Sequence, residues 1–124
     1  MKKLFLILVI ATTIGTVGCT YNKEEELYRT PPPTCNTANV TFSTTIAGIF
    51  TTYACNSCHS GPSPSGNVSL ASYNSVKTLV NNGRLYGAIN HAAGFSPMPQ
   101  GGGKMPACDI AKVKAWIDAG APNN

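Results

Sequence analysis

The sequence predicts an all-α fold of about four short helices, and three observations support this prediction. Apolar residues recur at helical spacing in several segments, which is typical of amphipathic helices. No stretch alternates apolar and polar residues convincingly enough to predict a strand. Clusters of Gly, Pro and Asn separate the periodic segments, and 124 residues leave room for one domain.

The predicted helices follow one another with clear breaks between them. The first runs into a pair of cysteines, and the last ends at Gly120, followed by Pro122, which together form a strong stop signal. Asn81-Asn82-Gly83 separates the two helices in the middle of the chain. The predicted helices cover residues 41–54, 70–80, 84–91 and 109–119.

The N-terminus has the pattern of a signal peptide, which we place at residues 1–18. Lys2 and Lys3 precede an apolar run, residues 4–17, which is shorter than the ~20 residues of a membrane-spanning helix. The small residues before Cys19 resemble a bacterial lipoprotein processing site, so we expect Cys19 to carry lipid. Ordinary cleavage nearby, with Cys19 left as a free thiol, is the alternative.

A lipidated tether is expected at residues 19–34. It contains a charged run, residues 23–26, and the stiff proline stretch of residues 31–33. The sequence therefore predicts an exported domain at residues 35–124, anchored by lipid to the bacterial envelope. It would face the periplasmic side of a membrane or the cell surface.

The charge of the mature chain excludes one class of partner. Once Lys2 and Lys3 leave with the signal peptide, seven basic and five acidic residues remain, a net charge of +2. This charge is too weak to indicate nucleic-acid binding. We therefore expect no nucleic-acid partner.

Residues 55–59, Cys-Asn-Ser-Cys-His, match the C-x-x-C-H pattern of covalent haem attachment. Two thiols at this spacing can each reach one vinyl group on the same porphyrin edge, while the adjacent imidazole binds the iron. The motif predicts one covalent haem c, attached through Cys55 and Cys58, with His59 as the proximal iron ligand.

Two other interpretations of the motif are weaker. A thioredoxin-like C-x-x-C pair needs a preceding strand and a βαβ pattern, and the sequence contains neither. A zinc site could use Cys55, Cys58, Cys108 and His91, but it lacks the paired spacing of structural zinc sites. It would also leave Cys35 without a partner.

The five cysteines of this chain can all be assigned. Cys19 takes lipid, and Cys55 and Cys58 take haem. The remaining pair, Cys35 and Cys108, is then expected to form a disulfide in an oxidising compartment. No cysteine is left over, which supports the set of assignments as a whole.

The distal iron ligand has three candidates. Met98 is favoured because it lies between Pro97 and Pro99, which present it from a rigid loop, and a run of glycines follows. Met105 fits an apolar core position better. His91 fits a hydrogen-bonded pocket residue better than a ligand. Ligation by His91, or a switch of the iron between His91 and Met98, is the alternative.

Gly48 and Trp116 carry an expectation about helix packing. Glycine inside a helix costs about 1 kcal/mol relative to alanine, so we expect another helix to come close at Gly48. Trp116 of the last helix would then pack against it and close one side of the haem pocket. A position in the general core fits Trp116 as well.

Residues 35–124 resemble the small cytochrome c-like haem domains found as lipoproteins in Bacteroidetes. The resemblance implies a cytochrome c-like fold around the haem, with Cys55 and Cys58 attached to haem c, His59 proximal and Met98 distal. The matching segments are residues 49–50, 55–59, 83–85, 91–95, 97–102 and 115–121.

Electron transfer, not catalysis, is the predicted function. We expect a monomer that is tethered to the membrane and exchanges electrons with a redox protein whose identity the sequence does not reveal. A haem sensor or peroxidase-like domain with an open iron site is the alternative. A zinc-binding surface domain is a third possibility.

Overall fold

The fold described here comes from a computed structural model, which describes residues 34–124. The predicted signal peptide, Cys19 and nearly all of the predicted tether lie outside these residues. The compact unit begins at Cys35 and runs to Asn124.

Helices are the only regular structure within residues 34–124, which contain no strand. The prediction of an all-α fold is therefore confirmed for this part of the chain. A π-helical turn, Phe42–Ile46, continues directly into α1, and a 3-10 turn, Ser65–Asn67, follows α2. The α-helices are α1, Ala47–Thr52; α2, Cys55–His59; α3, Tyr73–Asn81; α4, Arg84–Ile89; and α5, Ala107–Asp118.

Local caps explain where the helices differ from the predicted ranges. The helix predicted over residues 41–54 breaks because Ala54 adopts a left-handed φ of 51°, and α2 restarts at Cys55. The helix predicted to begin at residue 70 begins at Tyr73, where the Ser72 side chain accepts the Ser75 backbone N–H at 3.2 Å. The left-handed φ of 55° at His91 stops α4 early.

The hydrophobic core joins the first helical segment to the last. Trp116 of α5 is fully buried, and its ring stacks on Phe42 with 5.6 Å between centroids. Its indole N–H donates to the Pro122 carbonyl at 2.9 Å. The other completely buried large side chains are Ile46, Val76 and Val113.

The expectation for Gly48 is wrong. This residue is exposed, and a Cβ atom added to it would meet no heavy atom within 4 Å. Trp116 packs against Phe42 instead, so no helix needs close access at Gly48. Among the described residues, the tight glycine is Gly87 in α4, where an added Cβ would lie 2.5 Å from the Phe95 ring.

The segment after α5 returns to the start of the first helix. The backbone N–H of Ser43 donates to the Asn124 carbonyl at 2.8 Å, and that of Phe42 donates to Asn124 Oδ1 at 2.9 Å. The Tyr73 hydroxyl donates to the Ala121 carbonyl at 2.8 Å. The segment therefore satisfies N–H groups that a helix start leaves without intrahelical partners.

The sulfur atoms of Cys35 and Cys108 lie 2.12 Å apart, at disulfide distance, with 5.3 Å between the Cα atoms. The two cysteines are 73 positions apart in the sequence. The pairing agrees with the prediction and joins the first residue of the compact unit to the first turn of α5.

No helix within residues 34–124 has the length and apolar character needed to cross a membrane.

Removing the disulfide should destabilise the domain strongly. We expect Cys35→Ser together with Cys108→Ser to lower the free energy of unfolding by about 4 kcal/mol, because the unfolded chain regains the entropy of a long closed loop. Urea denaturation of the wild-type protein, purified with the disulfide oxidised, and of the variants measures this change. Either single substitution should cost about as much as the double one, and additive single effects would show that no bond links the pair.

Gly48→Ala should raise the free energy of unfolding by up to about 1 kcal/mol, because alanine has the higher helix propensity and the site is open. Gly87→Ala is the matched control and should lower it by about 1 kcal/mol or more, because the new Cβ displaces Phe95. Thermal or urea denaturation distinguishes the two. Destabilisation by Gly48→Ala would mean that a close neighbour exists at that position.

Candidate functional site

One cavity of about 790 Å³ brings the predicted haem-binding residues together. Cys55, Cys58 and His59 of α2 line it, and Met98 lines it from the loop after α4. Its volume falls in the range of small-molecule and cofactor sites, roughly 300–1,000 Å³. Its apolar lining comes from several helices and includes Ile49, Phe50, Val68, Leu70, Leu79, Leu85, Ile89 and Val113.

The break between α1 and α2 positions the two cysteines. The left-handed turn at Ala54 redirects the chain, and the Ala54 carbonyl accepts hydrogen bonds from the backbone N–H and the hydroxyl of Ser57, at 3.1 and 2.6 Å. Cys55 is half-buried and Cys58 is exposed. One helical turn therefore presents both sulfurs and the His59 ring to the same cavity.

The environment of Cys55 differs from that of a reactive thiol. Burial raises the pKa of the Cys55 thiol above its ordinary value, and a backbone hydrogen bond opposes this effect. Redox-active C-x-x-C motifs instead lower the pKa of a cysteine so that the thiolate forms near neutral pH. The protonated thiol at Cys55 does not fit a thioredoxin-like role.

The His59 ring is held by a hydrogen bond. Its Nδ1 lies 3.1 Å from the Val68 carbonyl, and because a carbonyl only accepts, Nδ1 must donate. The neutral ring then keeps the lone pair on Nε2, which is the atom free to bind a metal. The His59 carbonyl also accepts the Leu70 N–H at 2.7 Å. The segment after α2 therefore orients both the ring and the backbone of His59.

Both candidate methionines line the cavity. Met105 is 5% exposed and belongs to the hydrophobic core, as expected of an apolar core residue. Met98 is half-buried in its loop, where its backbone N–H donates to the Ala88 carbonyl at 3.0 Å. The structure therefore places two methionine side chains at this cavity. Met105 belongs to the core, and Met98 lies on the loop after α4, which a backbone hydrogen bond joins to Ala88.

His91 and Trp116 are not among the residues that line the cavity. His91 Nε2 lies 3.0 Å from the Met98 carbonyl, so the ring donates to the backbone of the loop that carries Met98. This position matches the expectation of a hydrogen-bonded histidine. The expectation that Trp116 closes one side of the pocket is wrong, because its ring lies against Phe42 and Nε1 bonds the Pro122 carbonyl.

Arg84 is the only charged residue among the described residues that line the cavity. Its side chain is exposed and donates to the Gly66 carbonyl at 3.4 Å. The guanidinium therefore lies where the cavity meets solvent. A mainly apolar cavity with one cation at its edge suits a ligand that is mostly apolar and carries negative charge at its periphery.

The four residues of the alternative zinc site are not assembled. Cys108 lies at bonding distance from Cys35. Within residues 34–124, no group of three or more His, Cys, Asp or Glu side chains is arranged to hold a metal ion.

A tyrosine and an aspartate that sequence reasoning missed connect the cavity wall to α5. Tyr53 lines the cavity, and its hydroxyl donates to Asp109 Oδ2 at 2.7 Å. The Lys112 ammonium lies 3.1 Å from Asp109 Oδ1. The Tyr53 hydrogen bond, helped by Lys112, lowers the pKa of Asp109 against the opposing effect of burial, and the same bond raises the pKa of Tyr53.

No protein-family model, no curated protein and no solved structure matches this chain. The function must therefore be argued from the site itself.

The bond between Tyr53 and Asp109 should make stability depend on pH. Because the pKa of Asp109 is lowered in the folded state, its contribution is present above the ordinary aspartate value and is lost as pH falls through the folded value. Tyr53→Phe should therefore destabilise the domain at about pH 7, and less so below about pH 3. Urea denaturation at several pH values measures the difference.

Tyr73→Phe is the matched control, because the Tyr73 hydroxyl bonds a backbone carbonyl that does not titrate. Its effect should stay constant over the same acidic range. An equal effect of Tyr53→Phe at about pH 7 and below about pH 3 would contradict the conclusion that the bond to Tyr53 lowers the pKa of Asp109. At alkaline pH, the raised pKa of Tyr53 predicts that its contribution is lost as pH rises through the folded value, above 10.0.

Proposed function

We propose that residues 35–124 form a small c-type cytochrome domain that transfers electrons and catalyses no reaction of its own. The observation that carries this proposal is the shared cavity of Cys55, Cys58, His59 and Met98. The four residues come from two segments separated in the sequence by about 40 positions, so the motif alone did not require Met98 to share a cavity with the cysteines and the histidine.

The residues present fit a haem c. Cys55 and Cys58 provide two thiols on one helical turn, and the hydrogen bond of His59 Nδ1 to Val68 leaves Nε2 available as a ligand atom. The apolar lining from α1, α3 and α4 suits a porphyrin disc. Arg84 at the edge supplies the positive charge that a propionate needs.

When bound, the haem supplies one-electron chemistry at its iron. Cys55 and Cys58 would hold the haem, His59 and Met98 would bind its iron, and the protein's part would be to restrain those two side chains. Val68 orients His59 through its carbonyl, and Ala88 and His91 hold the backbone of Met98. A thioether ligand favours the reduced state and raises the potential, and the apolar wall keeps water away.

Basic side chains give a weak basis for recognising an acidic redox partner. Lys112 and Lys114 lie close to Asp109 and Asp118 within α5, the second pair at 2.5 Å. Arg84, Lys77 and Lys104 have no acidic partner among residues 34–124. With the charge of Arg84 assigned to a propionate, Lys77 and Lys104 would steer an acidic partner only modestly at physiological ionic strength. We propose a membrane-tethered carrier, with lipid on Cys19.

Haem attachment and ligation test this proposal together. The full chain, expressed with a haem-maturation system, should retain haem through denaturing electrophoresis, and Cys55→Ser with Cys58→Ser should not. The ferric protein should be low-spin with a methionine-to-iron charge-transfer band, and the reduced protein should resist carbon monoxide. Exported protein without haem, at the mass of the polypeptide plus lipid, would overturn the proposal.

Two methionine variants identify the distal ligand. Met98→Ala should abolish the charge-transfer band, lower the potential by a large amount and admit carbon monoxide, because the thioether is lost. Met105→Leu is the matched control and should change the spectrum little, since leucine fills a similar core volume. The reverse pattern would make Met105 the ligand, and carbon monoxide binding by the wild type would favour a sensor or peroxidase-like domain.

A further inference from the structure

The segment from His91 to Met98 leaves α4 and returns to it. The chain reverses just after the helix, where His91 adopts a left-handed φ of 55°, and turns again at Gly94, whose φ is 86°. Four contacts join this loop to α4, and the first is the hydrogen bond from the His91 N–H to the Ala88 carbonyl at 3.2 Å. The Ala92 N–H donates to the Gly87 carbonyl at 2.9 Å, the Met98 N–H donates to the Ala88 carbonyl at 3.0 Å, and the Phe95 ring lies against Gly87.

One more contact lies within the loop itself and depends on a side chain. His91 Nε2 lies 3.0 Å from the Met98 carbonyl, and because the carbonyl only accepts, the ring donates. The backbone of Met98 is therefore bonded at both ends, its N–H to α4 and its carbonyl to His91. Two hydrogen bonds fix the orientation of the residue whose thioether lines the cavity.

Beyond Met98 the chain is weakly attached. Between Pro99 and Met105, the part of the chain that the structure describes shows one hydrogen bond, from the Gly102 N–H to the Pro99 carbonyl, and it is internal to the segment. Three glycines in this stretch allow wide backbone freedom. The His91 bond is therefore the hydrogen bond that holds the carbonyl side of Met98, because the described segment that follows forms no hydrogen bond to the rest of the domain.

We propose that His91 is a positioning residue that holds Met98 in place for iron ligation and so limits how readily the iron accepts an external ligand. This inference rests on the proposed cytochrome function. A buried or half-buried carbonyl that is left without a donor raises the free energy of the arrangement that buries it. Without the His91 bond, the state in which Met98 has left the iron should become more populated.

The effect has a measurable size. The apparent affinity for an external ligand scales with the populated fraction of the open state. Loss of one net hydrogen bond changes such an equilibrium by up to about tenfold. The affinity of the reduced protein for carbon monoxide should therefore rise by about tenfold when the His91 bond is removed.

The test compares His91→Leu with His91→Gln in the full-length, haem-loaded protein. Both substitutions place an unbranched Cβ at the same left-handed position, so the backbone cost is shared. The glutamine amide nitrogen can take the place of Nε2 and donate to the Met98 carbonyl, whereas leucine cannot. The readouts are the ferric methionine-to-iron charge-transfer band and the equilibrium affinity for carbon monoxide after reduction.

We expect His91→Leu to weaken the band and bind carbon monoxide about tenfold more tightly, and His91→Gln to stay near the wild type. Equal effects of the two variants, or none, would overturn the inference. If His91→Leu loads no haem, His91→Asn replaces it, because its shorter amide does not reach the Met98 carbonyl.

A failure of the proposed function looks different in the same experiment. Wild-type protein without covalent haem would contradict the cytochrome proposal before any variant is compared. A haem-loaded wild type that lacks the methionine band, and changes its ligation when His91 is replaced, would make His91 itself the ligand. That outcome would overturn the positioning role while leaving haem binding in place.

Discussion

A domain this small must surround a large cavity with very few apolar side chains. Only twelve hydrophobic residues are buried within the described chain, and the cavity measures about 790 Å³. More than half of these buried residues also line the cavity, so most of the core contributes to the cavity wall. If haem occupies the site as proposed, it completes the core as well as carrying the chemistry. The residues in both sets are Ile49, Phe50, Leu79, Leu85, Ile89, Met105 and Val113.

The connections that hold this wall mostly join the beginning of the domain to its end. The Cys35–Cys108 pair and the hydrogen bond between Tyr53 and Asp109 both link the N-terminal part to α5. Asn124 accepts hydrogen bonds from the first backbone N–H groups of the π-helical turn, through its carbonyl from Ser43 and through its side chain from Phe42. These links are long-range in sequence, and they join the short helical segments at the two ends of the domain.

The two proposed iron ligands are supported in the same way, by backbone carbonyls. His59 donates to Val68, and the Met98 carbonyl accepts from His91 while its N–H reaches Ala88. Such bonds restrain a ligand without adding charge near the cavity. This arrangement suits an electron carrier, in which the ligands should move little between two oxidation states. The hydrogen bond to the Met98 carbonyl also gives His91 a role that does not require it to bind metal.

The all-α character, the approximate helices and the C-x-x-C-H pattern were readable from the sequence because periodicity and motif spacing are local properties. The pairing of Cys35 with Cys108 followed from counting cysteines in a chain expected to be exported, and the structure places their sulfurs together. The role of Gly48, the bond of His91 and the partner of Tyr53 were decided only by the tertiary structure. Each depends on which distant atoms the fold brings within a few ångströms, and neither composition nor spacing encodes that proximity.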